Sequence, residues 1–244
     1  MKRFLPLIIA LIAINACKKD VAPAIENVEF KTTTYQTLGA FDNAGRPFYL
    51  EPADVISSNL RSFASNTLPE FKDLRNSRPE LLATSAVADI AITKSSEVFI
   101  TYVSQGTENA DALGFYTFPT NDPPDSVNDI KTITNVFPYL GEGSPINPGS
   151  KVRIGRFDAG ISVGFVLMQG AWDKNAHKIN NIVPHFLTND KLNPEINAEL
   201  KKHAVLVNYP SENKVLIGFE DIFRTDSHCD HDFNDVVVYA TVTP

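Results

Sequence analysis

The chain has 244 residues, 43% of them hydrophobic, a formal charge of −7 and no cluster of Lys and Arg. That size and apolar share allow one large β domain or two small ones with an ample core, and the acidic balance speaks against nucleic acid as a partner. With only two cysteines, Cys17 and Cys229, the fold is not expected to be disulfide-stapled.

Met1-Lys2-Arg3 is a basic start, and Phe4 to Ile14 is an apolar run of signal-peptide length, too short to span a bilayer as a helix. The tetrad Ile14-Asn15-Ala16-Cys17 resembles a bacterial lipobox. The resemblance implies that residues 1–16 are a signal peptide removed before Cys17. It also implies diacylglycerol on the Cys17 sulfur and an acylated amine, palmitate being such a chain. Two or three chains anchor a protein stably. Losing Lys2 and Arg3 with the signal leaves 228 residues and takes the formal charge from −7 to −9. No second apolar run approaches the length of a span, so the lipid is the one membrane contact expected. Lys18-Lys19-Asp20 carries no Asp directly after the cysteine. By resemblance to known sorting rules this favours the outer membrane, on its periplasmic face or at the cell surface.

Residues 17–28 read as the lipidated cysteine and a polar tether, and 29–87 as a strand and helical lead-in. Within the lead-in, Glu29 to Tyr35 suggests a strand and Asp42-Asn43-Ala44-Gly45 a turn. Asp54 to Ser65 is the best helix, with Val55, Ile56, Leu60 and Phe63 near helical spacing and Asp54 as its cap. Leu68-Pro69-Glu70 ends it, and 70–86 is loop or short helix. From 88 to 244 the pattern is β. Ile90 and Ile92 alternate with smaller residues, Glu97 to Ser104 is β-branched and aromatic, and Leu113 to Phe118 follows. Further strands are expected at 130–137, 151–157, 161–168, 203–208, 213–219 and 235–242. Many short strands, frequent turns and one helical excursion predict an all-β fold, an antiparallel sandwich or jelly roll.

Chemistry concentrates near the C-terminus. Glu220 to Asp235 holds six carboxylates and one cationic side chain, Arg224, between two strand-like runs. Such crowding resists desolvation unless water or a cation compensates it, and calcium prefers hard oxygen ligands on a tight turn. Asp230-x-Asp232-x-Asn234 copies the first half of an EF-hand loop. Asp235 then stands where the turn glycine belongs, and Thr241 where the bidentate Glu belongs. Closure must come from elsewhere, and Glu220 and Asp221 are nearest if the flanking strands form a hairpin. The alternative is a solvated loop whose Asp and Asn side chains cap its own backbone. Phe219 and Phe233 beside the acids favour an anchored loop. His228-Cys229-Asp230-His231 fits no common zinc spacing, and Cys229 reads as a loop cysteine without a special role.

Four blocks resemble the DUF4114 domain and, more distantly, LruC-type surface proteins of Bacteroidetes. They are Leu113-Gly114-Phe115-Tyr116-Thr117-Phe118; Ser162 to Leu167 with Gly170-Ala171-Trp172; Leu192 to Glu195 with His203 to Leu206; and Gly218 to Asp221 with Asp230 to Val237. The resemblance covers about 88–244. It implies a secreted or surface β-sandwich module without established enzymatic activity. It also implies calcium ligands at Glu220, Asp221, Asp230, Asp232, Asn234 and Asp235.

No Gly-x-Ser-x-Gly or other nucleophile context is readable. His203, at a strand start, reads as a structural histidine. Trp172, Tyr116 and Phe115 read as core before they read as a sugar-stacking platform. The expectation is a non-enzymatic, calcium-stabilised lipoprotein of the bacterial envelope that binds or adheres, with a glycan or surface protein as possible ligand. The alternatives are a carbohydrate-binding module and a glycan-active enzyme with paired carboxylates.

Overall fold

A computed structural model describes residues 25–84 and 86–244. The expected signal peptide, Cys17 and most of the expected tether lie outside these described residues. Strands begin with β1 (Thr34–Thr37) and β2 (Leu50–Glu51), then two helices follow, α1 (Ser58–Thr67) and α2 (Leu74–Ser77). Next come β3 (Ile90–Ala91), β4 (Ser96–Gln105), β5 (Ala110–Pro119), β6 (Thr132–Gly141), β7 (Lys151–Phe157) and β8 (Ile161–Met168). Three short strands follow, β9 (Trp172–Asp173), β10 (Lys178–Ile179) and β11 (His185–Leu187). The chain closes with β12 (Ala204–Tyr209), β13 (Lys214–Phe219) and β14 (Val236–Thr243).

The first sheet has the order β1-β6-β5-β8-β11, with β3 also on β8, and the second the order β12-β13-β14-β4-β7-β2. β9 and β10 form a separate ribbon. All pairs are antiparallel except β1 with β6. The fold is therefore an all-β sandwich with a short helical part in its N-terminal half.

The sheets face each other across a core that includes Leu113, Phe115, Phe137, Phe165 and Leu167 from the first and Val98, Ile100, Ile217, Phe219 and Val238 from the second. Their outer faces are also covered. Leu60 of α1 and Leu74 of α2 pack on Val103, Leu216, Val237 and Tyr239 of the second sheet. Tyr116, Val166 and Met168 of the first sheet pack with Ile130, Leu187 and Leu192. Burial on both faces explains why runs such as Val236-Val237-Val238 are apolar throughout rather than alternating. Phe115 and Tyr116 thus point into different cores, and Trp172 is buried against Tyr139, so the three aromatics form no exposed platform.

One element is displaced. The helix expected over Asp54 to Ser65 runs from Ser58 to Thr67, and its cap is Ser57, whose hydroxyl accepts from Leu60 N–H at 3.0 Å. Asp54 is drawn to the sheet instead. Its carboxylate takes Lys151 Nζ at 2.7 Å, Tyr239 Oη at 3.0 Å and Thr101 Oγ1 at 3.1 Å. A charged donor and two hydroxyls outcompete a single helix N–H. The Asp42 turn forms as expected, with Asp42 Oδ1 accepting from the Ala44 and Arg46 amides. No helix among the described residues is long and apolar enough to cross a membrane.

Candidate metal centre

β13 and β14 pair from Lys214↔Thr241 to Phe219↔Val236, so Glu220 and Asp235 leave the same end of one hairpin. β12 and β4 flank that end: Glu220 N–H donates to His203 O at 2.9 Å, and Gly106 N–H to Asp235 O at 3.0 Å. Residues 220–235 form the connection.

The connection folds back on itself. Glu220 Oε1 accepts from Phe233 N–H at 2.8 Å, and Oε2 from Cys229 Sγ at 2.9 Å. Asp232 Oδ1 accepts from Asn234 N–H at 3.0 Å, while Oδ2 accepts from Asn234 Nδ2 at 2.9 Å. His231 and Phe233 adopt left-handed backbone, φ 61° and 60°. Non-glycine residues accept that only where the surroundings over-determine it. Here the Phe233 ring is fully buried under the Arg224 guanidinium, 5.1 Å from the ring centroid. Gly218 is required beneath it, because a Cβ there would meet Phe233 O at 2.3 Å. The aromatics beside the acids do anchor the loop.

Glu220, Asp230 and Asp232 each turn a carboxylate oxygen inward, and these three atoms lie within 4.8 Å of one another. Glu220 and Asp232 are buried and Asp230 half-buried. A small cavity of about 190 Å³ opens beside them, lined also by Glu70, Phe71, Asn234 and Asp235. Among the described residues no Lys or Arg forms an ion pair with Glu220, Asp230 or Asp232. Arg224 is turned away. Its Nη1 donates to Lys202 O at 2.9 Å and Glu199 O at 3.3 Å, and its Nε to His231 Nδ1 at 3.2 Å.

Burial pushes the Glu220 carboxyl above its ordinary range, with Asp230 adding to the rise. Burial, helped by Asp230 and Glu220, lifts Asp232 to about 7. Burial, then Asp221 and Glu220, lifts Asp235 to about 9. These carboxyls resist ionisation because they are buried and crowd one another, and the charge of Arg224 offsets only part of the rise at Glu220. Burial and the two arginines Arg224 and Arg75 hold His231 near 4, so it is neutral and accepts from Arg224. Burial and Glu220 push the Cys229 thiol far up, which leaves it a donor rather than a nucleophile.

Of the six residues read as ligands, Glu220, Asp230 and Asp232 converge, and Asn234 and Asp235 line the cavity. Asp221 is directed elsewhere: its Oδ2 accepts from Asn109 Nδ2 at 3.0 Å and from Thr107 Oγ1. Two acids near the site were not anticipated. Glu70 lines the cavity from the end of the α1 connection, and Asp111 approaches Asp221 from β5. Asp111 had a readable signal, a lone charge in the apolar stretch Ala110 to Phe115. His203 is structural, as expected. It is buried, with Nε2 at 2.7 Å from Glu195 Oε1, and stacks on Phe186.

Residues 157–243 match the family described as "Domain of unknown function (DUF4114)". A DUF4114 domain thus spans β8 to β14 and contains the acidic connection, while the Leu113–Phe118 block lies outside the matched residues although it belongs to the same sandwich. No curated protein and no solved structure matches the chain.

Proposed function

We propose that this chain is a calcium-binding β-sandwich module of the bacterial cell envelope, lipid-anchored through Cys17, that serves in binding or adhesion and not in catalysis. The observation that carries the calcium reading is the convergence of Glu220, Asp230 and Asp232 within 4.8 Å, with no ion pair to any of them from a Lys or Arg among the described residues. Three hard oxygen donors at a kinked loop suit a calcium ion, with Asp235, Asn234 and Glu70 near enough to complete its shell. The ion would fasten the β13–β14 connection to the sandwich. An ion that binds only the folded state stabilises it by mass action, by about 2.7 kcal/mol at 100 times its dissociation constant.

At the acidic connection a non-catalytic role is supported by the small cavity, about 190 Å³, against the roughly 300–1,000 Å³ typical of small-molecule sites. Cys229 Sγ lies 3.2 Å from His231 Nδ1, but that nitrogen already accepts from Arg224 Nε and the thiol donates to Glu220 Oε2, so the two do not form a nucleophile–base pair. The envelope location rests on the lipobox-like Ile14 to Cys17.

A carbohydrate-binding role is the second reading, favoured by Phe71, which is 78% exposed at the mouth of the cavity. A glycan array probed with calcium and with chelator would detect it.

Thermal unfolding of the purified protein tests the calcium site. Calcium is expected to raise the midpoint and chelator to lower it, and Asp232→Ala to remove most of the shift. A midpoint indifferent to calcium, with no heat of binding in calorimetry, would refute the reading.

A further inference from the structure

A cavity of about 760 Å³ opens where the 26–31 segment, Tyr35 of β1, the 181–185 turn, Pro194 and Phe223 meet. Its size falls within the roughly 300–1,000 Å³ typical of small-molecule sites. It shares no residue with the cavity at the acidic connection. Phe30, Tyr35 and Phe223 give it aromatic walls, and Val28, Val183 and Pro184 add aliphatic surface. Phe30 stacks on buried His185 with ring centroids 4.5 Å apart, and Tyr35 tilts against the same ring at 5.7 Å.

The side-chain donors of this wall are largely spent. His185 Nδ1 lies 2.7 Å from Val183 O, which can only accept, so Nδ1 carries the ring proton. Nε2, 2.9 Å from Tyr35 Oη, then accepts from that hydroxyl. Burial holds His185 near 4, so the ring is uncharged at neutral pH and repels no cation. Asn27 Nδ2 donates to Glu29 Oε1 at 3.0 Å. Lys31, the one Lys or Arg on the wall, pairs with Glu29 Oε2 at 3.3 Å. Glu26, also on the wall, forms no ion pair among the described residues. Aromatic faces and a carboxylate therefore remain, with little capacity to donate. An anion or a sugar needs donors to replace its water. An uncharged apolar molecule has no use for the carboxylate. An organic cation whose charge is spread over methyl groups uses the aromatic faces, the aliphatic surface and Glu26 together.

We propose that this cavity binds a small quaternary ammonium compound, its methyl groups against Phe30, Tyr35 and Phe223 and its charge offset by Glu26. The site does not depend on calcium at the acidic connection.

Isothermal titration calorimetry of the purified protein tests this with choline and with the neutral alcohol that carries a tert-butyl group in place of trimethylammonium. Choline is expected to saturate one site per chain. The neutral alcohol should bind about 2- to 30-fold more weakly, the range that a cation–π contact spans. Phe30→Leu keeps an apolar side chain but removes an aromatic face, so it should weaken choline and spare the alcohol. Glu26→Gln should act in the same direction. Glu26 is exposed, so this variant carries the test if Phe30→Leu does not fold by circular dichroism. A neutral alcohol that binds as tightly as choline overturns the proposal in favour of a purely apolar site. No saturable choline binding, or choline affinity unchanged in the folded variants, overturns it outright.

Discussion

The backbone N–H of Phe71 donates to the Asp232 carboxylate at 2.8 Å. Three residues on, Leu74 N–H donates to His231 O at 2.9 Å. The helical lead-in is therefore stitched to the acidic connection by two bonds between residues 161 and 157 positions apart in sequence, beside the packing of Leu74 on the second sheet. Calcium that fixes Asp232 should slow hydrogen exchange at the Phe71 and Leu74 amides by up to about 100-fold, equivalent to about 2.7 kcal/mol, when the ion is at 100 times its dissociation constant. Mass-resolved exchange with and without chelator checks it. Equal rates in both conditions would mean that the lead-in is not coupled to the ion.

The raised carboxyls give a pH signature. Asp232 at about 7 and Asp235 at about 9 keep protons that the unfolded chain releases near 4. From about pH 4 to 9 the native state thus binds more protons than the unfolded state, so its stability falls as pH rises. His185 and His231, held near 4 by burial, act in the opposite sense but only below about 6.5. The test window is therefore pH 7 to 9. In chelator the thermal midpoint should drop across it, and in calcium the drop should shrink, because the ion replaces the protons. A flat chelator profile would contradict the burial of these acids.

Gly218→Ala should loosen the connection without touching an acid. The new Cβ would meet Phe233 O at 2.3 Å and Leu68 Cδ1 at 2.4 Å. Overpacking of this kind costs about 1–3 kcal/mol. Calcium affinity should fall along with stability, since Phe233 N–H is the donor that orients Glu220. Unaltered affinity in a folded variant would show that the Phe233 anchor does not position the ligands.

Cys17→Ser should release or mislocalise the protein, because no thioether-linked chains would remain. Fractionation of cells checks this. A variant that still sediments with membranes and matures normally would sink the lipoprotein reading.

Much of the sandwich was legible in the sequence. The strands expected at 151–157 and 161–168 have those bounds, since β-branched and apolar residues buried on both faces leave sharp edges at turns. The helix slipped because Asp54, a good cap by type, is taken by Lys151, which no local pattern announces. β1 was expected at Glu29 to Tyr35 and lies at Thr34–Thr37, placed by parallel pairing with β6 almost 100 residues away. β9, β10 and β11 are too short to carry a period. At the acidic connection, the density of carboxylates revealed Glu220, Asp230 and Asp232. The separate course of Asp221 is set by Thr107 and Asn109, partners more than a hundred residues away in sequence. Asp111 and Glu70 come from distant elements, and only tertiary structure brings them near.

Were the chain anchored through Cys17, the two sheets would divide mechanical duty. A pull arriving along the chain from its N-terminal side would meet the Glu26 N–H bond to Pro194 O at 3.0 Å and then β1, whose ladder to β6 is reinforced by Thr33 Oγ1 donating to Ile130 O at 2.7 Å. The acidic connection hangs from β13 and β14, inside the other sheet, with β12 and β4 on either flank. Tension on a tether would be borne by the first sheet's edge ladder, leaving the connection at the second sheet's end slack and free to hold its shape under load.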